Sequence, residues 1–195
     1  MTEAPATPLA KSVALFERST NYTLEALSGI TDDALTRPTP CTDWDLRALL
    51  LHLADAADGL ADLVTTGELR LPTPPRSDDP DPVSVAHDRI RRLLDVLETT
   101  VQRPTLTDEQ LGWATTAAHA GAIEFVAHAW DSNVACGEER PIPARLATEL
   151  LELAMSLIAD DSRKPRFGPV VSVPPTASPS DRFIAFLGRR PGLRA

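Results

Sequence analysis

Candidate inward positions recur at three- and four-residue intervals from Leu9 to Leu27, at Leu9, Val13, Phe16, Thr20, Thr23, Leu24 and Leu27, with Gly29 just beyond. That spacing predicts an opening helix with one packing face. A second amphipathic run spans Trp44 to Val64. Leu46, Leu49, Leu50, Leu53, Leu60 and Leu63 lie on one side, with Arg47, Asp55, Asp58 and Asp62 on the other. Thr42 or Asp43 is the expected N-cap, and Asp45 falls in the first turn, where the helix dipole favours an acid. A third helix is predicted from Val83 to Val101, with Val85, Ile90, Leu93, Leu94 and Leu97 inward and Arg89, Arg91, Arg92 and Glu98 mostly outward.

The pattern changes from Ala117 to Gly137, AAHAGAIEFVAHAWDSNVACG, where both sides of the wheel are apolar or small. This predicts a helix buried on most of its circumference and capped by Gly137. A last long helix runs from Pro143 to about Ala159, with Leu146, Leu150, Leu153, Met155 and Ile158 as its core stripe. A short helix follows near Asp181 to Leu187, docked through Phe183, Ile184, Phe186 and Leu187. TDDALTRPTPCTDWD, with Pro38 and Pro40, connects the first two helices, and two further connections follow. Gln102 to Thr116 is one; the other, Thr65 to Pro82, carries five prolines and is expected to form no regular structure, only a flap over one end of the bundle. The fold class is all-α, a four-helix bundle with an extra C-terminal helix. It is read as one domain over 1–195, with the bundle at about 1–163 and an ordered docked tail at 164–195.

Composition narrows the function classes. A net charge of -9 with no basic cluster argues against a nucleic-acid groove or an anionic membrane surface as partner and leaves small molecules or other proteins. Cys41 and Cys136 are too few and too scattered for a disulfide framework or a cysteine zinc site. No apolar run approaches a membrane span, and the N-terminal stretch MTEAPATPLAKS lacks the apolar core of a signal peptide, so a cytoplasmic location is expected.

The candidate chemistry sits in the buried stretch. Glu124 and His128, four residues apart and so roughly 40° apart around a helix, share one face. Their stripe otherwise carries Ala117, Gly121, Ser132 and Ala135, small neighbours that leave room for an ion where a solvated face would carry charges. A buried carboxylate needs a partner, and a metal or a cation is the usual one. The bland reading is a structural acid and histidine one turn apart. His52 lies on the apolar side of the second helix, as either a satisfied core histidine or a third ligand. With it, the set is two imidazoles and a carboxylate, suited to catalytic zinc or to non-haem iron with positions left open. His119 points away from Glu124 by roughly 140°, and His87 is expected to be half-exposed.

The stretches RPTPCTDWDLRALLLHLADAADGL and IEFVAHAWDSNVACG resemble the signature segments of the mycothiol-dependent maleylpyruvate isomerase N-terminal family, a DinB-like four-helix metal-binding fold. The ending FGPVVSVPPTASPSDRFIAFLGRRP resembles that of a short, uncharacterised branch of the family. The resemblance implies that His52, Glu124 and His128 are the metal ligands, with zinc the usual divalent ion and mycothiol as cosubstrate. In the family's enzymes the metal holds the thiol's sulfur and lowers its pKa, so that a thiolate adds to a small electrophilic substrate. Asp131, beyond His128, either orients a ligand or caps a local turn. The isomerase has a further C-terminal domain where this chain has its short tail, so fold and metal are expected to carry over, with the reaction open between transferase and isomerase. Alternatives are a non-catalytic metal- or ligand-binding bundle and an interaction domain whose Glu124–His128 pair is structural.

Overall fold

In the computed structural model, residues 6–41, 44–70, 81–159, 163 and 166–192 are described. Among them run α1 (Pro8–Leu27), a 3-10 turn (Asp32–Ala34), α2 (Leu46–Thr66), α3 (Pro82–Val101), α4 (Asp108–Cys136), α5 (Ala144–Leu157) and α6 (Pro179–Phe186). The first four helices close a ring: α1 packs on α4, α4 on α2, α2 on α3, and α3 back on α1. Their apolar stripes meet inside it, with Phe16, Phe125, Leu49, Leu53, Ile90 and Leu93 free of solvent. α5 and α6 pair with each other, and α5 also touches α4 and α1. The class is therefore all-α, a four-helix bundle with an added C-terminal helix.

Local chemistry sets the helix ends. Thr7, Asp45, Asp81 and Ser178 each accept an N–H of the following first turn on a side-chain oxygen. α2 and α4 stop at Gly67 and Gly137, both with positive φ (79° and 74°), where a left-handed residue closes the last turn. Asp45 is thus the N-cap of α2, not a residue of its first turn; Thr42 and Asp43, the expected caps, lie outside the described residues. Of the proline-rich connection, Thr65 and Thr66 belong to α2 and Pro82 opens α3, whereas 71–80, and with them the expected flap, lie outside the described residues.

Two expectations need correction. α4 starts at Asp108, not near Ala117, because Thr107 and Gln110 form a reciprocal capping box. Its first turn projects into solvent, so no apolar stripe marks it in the sequence. On α5 the buried residues are Leu146, Ala147, Leu150 and Ala154, while Met155 is 63% exposed. Met155 follows Leu150 by five positions, about 140° around the wheel, and so faces away from the stripe. Of the tail residues expected to pack inward, Phe183 and Ile184 are fully buried and Leu187 nearly so, while Phe186 is half-buried. Among the described residues no helix is long and apolar enough to cross a membrane.

Candidate metal centre

The loop before α2 positions one wall of the site. Leu46 and Arg47 donate backbone N–H groups to Arg37 and Leu35, and Thr39 Oγ1 donates to the Trp44 carbonyl at 2.8 Å. The loop is therefore pinned against the start of α2. Trp44 then lies over the imidazoles, its ring centroid 4.4 Å from that of His52 and 6.1 Å from that of His128. His52 comes from α2, Glu124 and His128 from adjacent turns of α4, and the contact between these helices brings all three together.

One ligand atom from each residue lies within 4.8 Å of the others. His52 Nε2 is 2.6 Å from Glu124 Oε1, and His128 Nε2 is 3.2 Å from the same oxygen. The two rings stand nearly perpendicular, at 83°. An ionised carboxylate only accepts, so both nitrogens donate to it. On its far side His128 donates Nδ1–H to Asp131 Oδ2 at 2.9 Å. Asp131 has no solvent exposure and receives Arg189 side-on: Nε lies 2.8 and 3.1 Å from its two oxygens and Nη2 lies 2.7 Å from Oδ2. The order in space is Arg189, Asp131, His128, Glu124, His52.

This alternation of charge decides the ionisation. Burial by itself raises the Glu124 pKa, but the His128 charge and hydrogen bonds from His128 and His52 outweigh it and hold the carboxyl well below its ordinary value. Burial lowers that of His128; the Glu124 charge and the bonds to Asp131 and Glu124 prevail and push it up to about 9. For Asp131, desolvation is overcome chiefly by the Arg189 charge, and its pKa falls. The cluster without an ion is therefore an imidazolium between two carboxylates.

The residues around the cluster differ from expectation in three ways. Glu124 is not sealed in: its side chain is 29% exposed and that of His52 24%, while His128 is buried. On the small stripe, Gly121 makes room for an aromatic side chain. A Cβ on Gly121 would stand 2.6 Å from the Phe16 ring, so the glycine admits an aromatic from α1; Ala117, Ser132 and Ala135 are themselves buried in the bundle. Arg189 was not anticipated, since its tail has no helical period that relates it to Asp131 in the sequence. His119 pairs instead with Ser12, its Nε2 2.8 Å from Oγ, and His87 is half-exposed beside Asp88.

The family model described as the mycothiol maleylpyruvate isomerase N-terminal domain matches residues 16–133, a span that includes His52, Glu124, His128 and Asp131 but ends before Arg189. Two uncharacterised proteins of Mycobacterium tuberculosis, from two strains, are each 26% identical over 168 residues, covering 84% of this chain and 89% of the relative. No solved structure matches the chain.

Proposed function

The chain belongs to the mycothiol maleylpyruvate isomerase N-terminal family, and from that premise we propose that it is a divalent-metal-binding enzyme, a transferase or isomerase that uses a low-molecular-weight thiol, mycothiol, on a small electrophilic substrate. The observation that carries this reading is the convergence of two imidazole Nε2 atoms on one carboxylate oxygen. The donor set fits a divalent ion: two imidazole nitrogens and one carboxylate oxygen, within 4.8 Å of one another, are the ligand types of catalytic zinc sites, and an ion there would take the place of the protons that the two Nε2 atoms now share with Glu124. His52, Glu124 and His128 would hold the ion, with zinc the expected one.

Each protein group has a part in that arrangement. Asp131 accepts from His128 Nδ1, which leaves Nε2 as the atom facing Glu124 and His52. Trp44 covers one side of the imidazoles and excludes water there, while the partial exposure of His52 and Glu124 leaves an approach for thiol and substrate. A divalent ion held by His52, Glu124 and His128 would supply Lewis acidity, which would lower the pKa of a thiol so that thiolate is available at neutral pH.

Metal content is the direct test. After dialysis against zinc and removal of excess, elemental analysis should find close to one ion per chain in the wild type and little in His52→Ala or Glu124→Gln. Wild-type protein that stays free of zinc, nickel, manganese and ferrous ions would leave the cluster a structural ion pair. A metal-loaded protein that turns over no electrophile in the presence of mycothiol would instead be a binding bundle without catalysis.

A further inference from the structure

The backbone ahead of Arg189 is held on two sides. α6 ends with Gly188 at φ 87°, its N–H donated to the Ala185 carbonyl at 3.0 Å and the N–H of Arg189 to that of Ile184 at 3.1 Å. This pair of bonds closes a Schellman motif, in which the residue after the glycine turns back along the helix. Gly188 also lies against Gly168, where a Cβ would come within 2.7 Å of the Gly168 Cα. Arg189 is thus presented to Asp131 from a fixed point.

The pairing that results joins residues 58 positions apart and is two-pronged, Nε and Nη2 on both carboxylate oxygens. Oδ2, the oxygen that takes the shortest of these bonds, also accepts His128 Nδ1–H. A buried carboxylate with one hydrogen-bond partner can turn about its side-chain torsions; clamped by a planar guanidinium, it offers the imidazole one acceptor direction. We infer that Arg189 is a positioning residue for the cluster: through Asp131 it fixes the ring orientation and tautomer of His128, so that the C-terminal tail sets how tightly a divalent ion is held, a role that rests on the metal reading above. The family-matched segment then supplies the ligands, and the tail beyond it supplies their alignment.

The experiment compares wild type, Arg189→Ala, Arg189→Lys, Asp131→Asn and the Arg189→Ala/Asp131→Asn double variant. Zinc affinity is read by competition with a chromophoric chelator, and ligand geometry by the visible absorption of the cobalt(II)-loaded protein. Arg189→Ala and Asp131→Asn should each weaken zinc binding by about 10- to 100-fold and change the cobalt spectrum. The double variant should be no weaker than Asp131→Asn alone, because one pathway is cut twice. Arg189→Lys, which keeps the charge but loses the fork, should recover part of the affinity. Zinc affinity and a cobalt spectrum unchanged in Arg189→Ala, even with a lower melting temperature, would make the pair a structural strut and overturn the assignment. Additive losses in the double variant would also overturn it. If Arg189→Ala does not fold, Arg189→Lys decides: wild-type affinity there refutes the role and weakened affinity supports it. Wild type that takes up neither ion sinks the metal reading itself, and the positioning role with it.

Discussion

Tyr22 is the chain's one tyrosine, and its hydroxyl sits between α1 and the end of α4. It donates to the Arg140 carbonyl at 3.0 Å and receives the Asn133 amide at 3.3 Å. Burial dominates and pushes its pKa up to about 12, against smaller opposing effects of Asn133 and Arg140. The folded pKa lies above the unfolded one, so the stabilisation is fully present below pH 10 and is lost as pH climbs from about 10 towards 12. The loss approaches about 3 kcal/mol at the top of that window. Near-ultraviolet absorbance of tyrosinate reads this one residue. A midpoint near 12 is expected in native protein, with Tyr22→Phe abolishing this part of the alkaline destabilisation; a midpoint at the ordinary value of 10 would mean that the hydroxyl is not buried.

Within α4, two glycines illustrate how position on one element sets the sign of a substitution. Gly112 has open space where a Cβ would go, whereas Gly121 meets Phe16 at 2.6 Å, and that ring is packed 5.6 Å from Phe125. Alanine at either position gains helix propensity worth about 1 kcal/mol. Gly112→Ala should therefore raise stability by about 0.5–1 kcal/mol. Gly121→Ala should lower it by up to about 2 kcal/mol net, since overpacking a filled core costs about 1–3 kcal/mol and the propensity gain offsets about 1 kcal/mol of it. Urea midpoints of the two variants beside wild type check both signs. A gain at Gly121 would show that α1 and α4 can part without cost.

At the scale of the molecule, the tail adds Phe183, Ile184 and Leu187 to the one hydrophobic core that the helices share. Phe183 lies beyond residues 16–133, the family-matched span, yet is fully buried. Arg163 binds the Gly168 and Phe186 carbonyls, its guanidinium 4.9 Å over the Phe186 ring. If ring and tail unfold as one unit, Phe183→Ala should cost about 3–5 kcal/mol. The far-ultraviolet helix signal and the fluorescence of the bundle tryptophans should then shift to the same lower urea midpoint. A fluorescence midpoint unchanged from wild type would show that the tail melts on its own.

The sequence by itself determined the helices and half of the cluster. Periodicity near 3.6 residues is a local property, so the packing faces of α1, α2 and α3 were legible, as was the shared face of Glu124 and His128, one turn apart. From its place on an apolar face His52 was legible as either a core histidine or a third ligand, and only the family resemblance chose the ligand; the start of α4 was hidden because an exposed turn has no stripe. Only the tertiary structure brought His52 onto the Glu124 oxygen, laid Trp44 over the imidazoles, and clamped Asp131 with Arg189. Those contacts join residues whose separation along the chain bears no relation to any helical period; the packing of one helix on another, and of the tail on both, decides them.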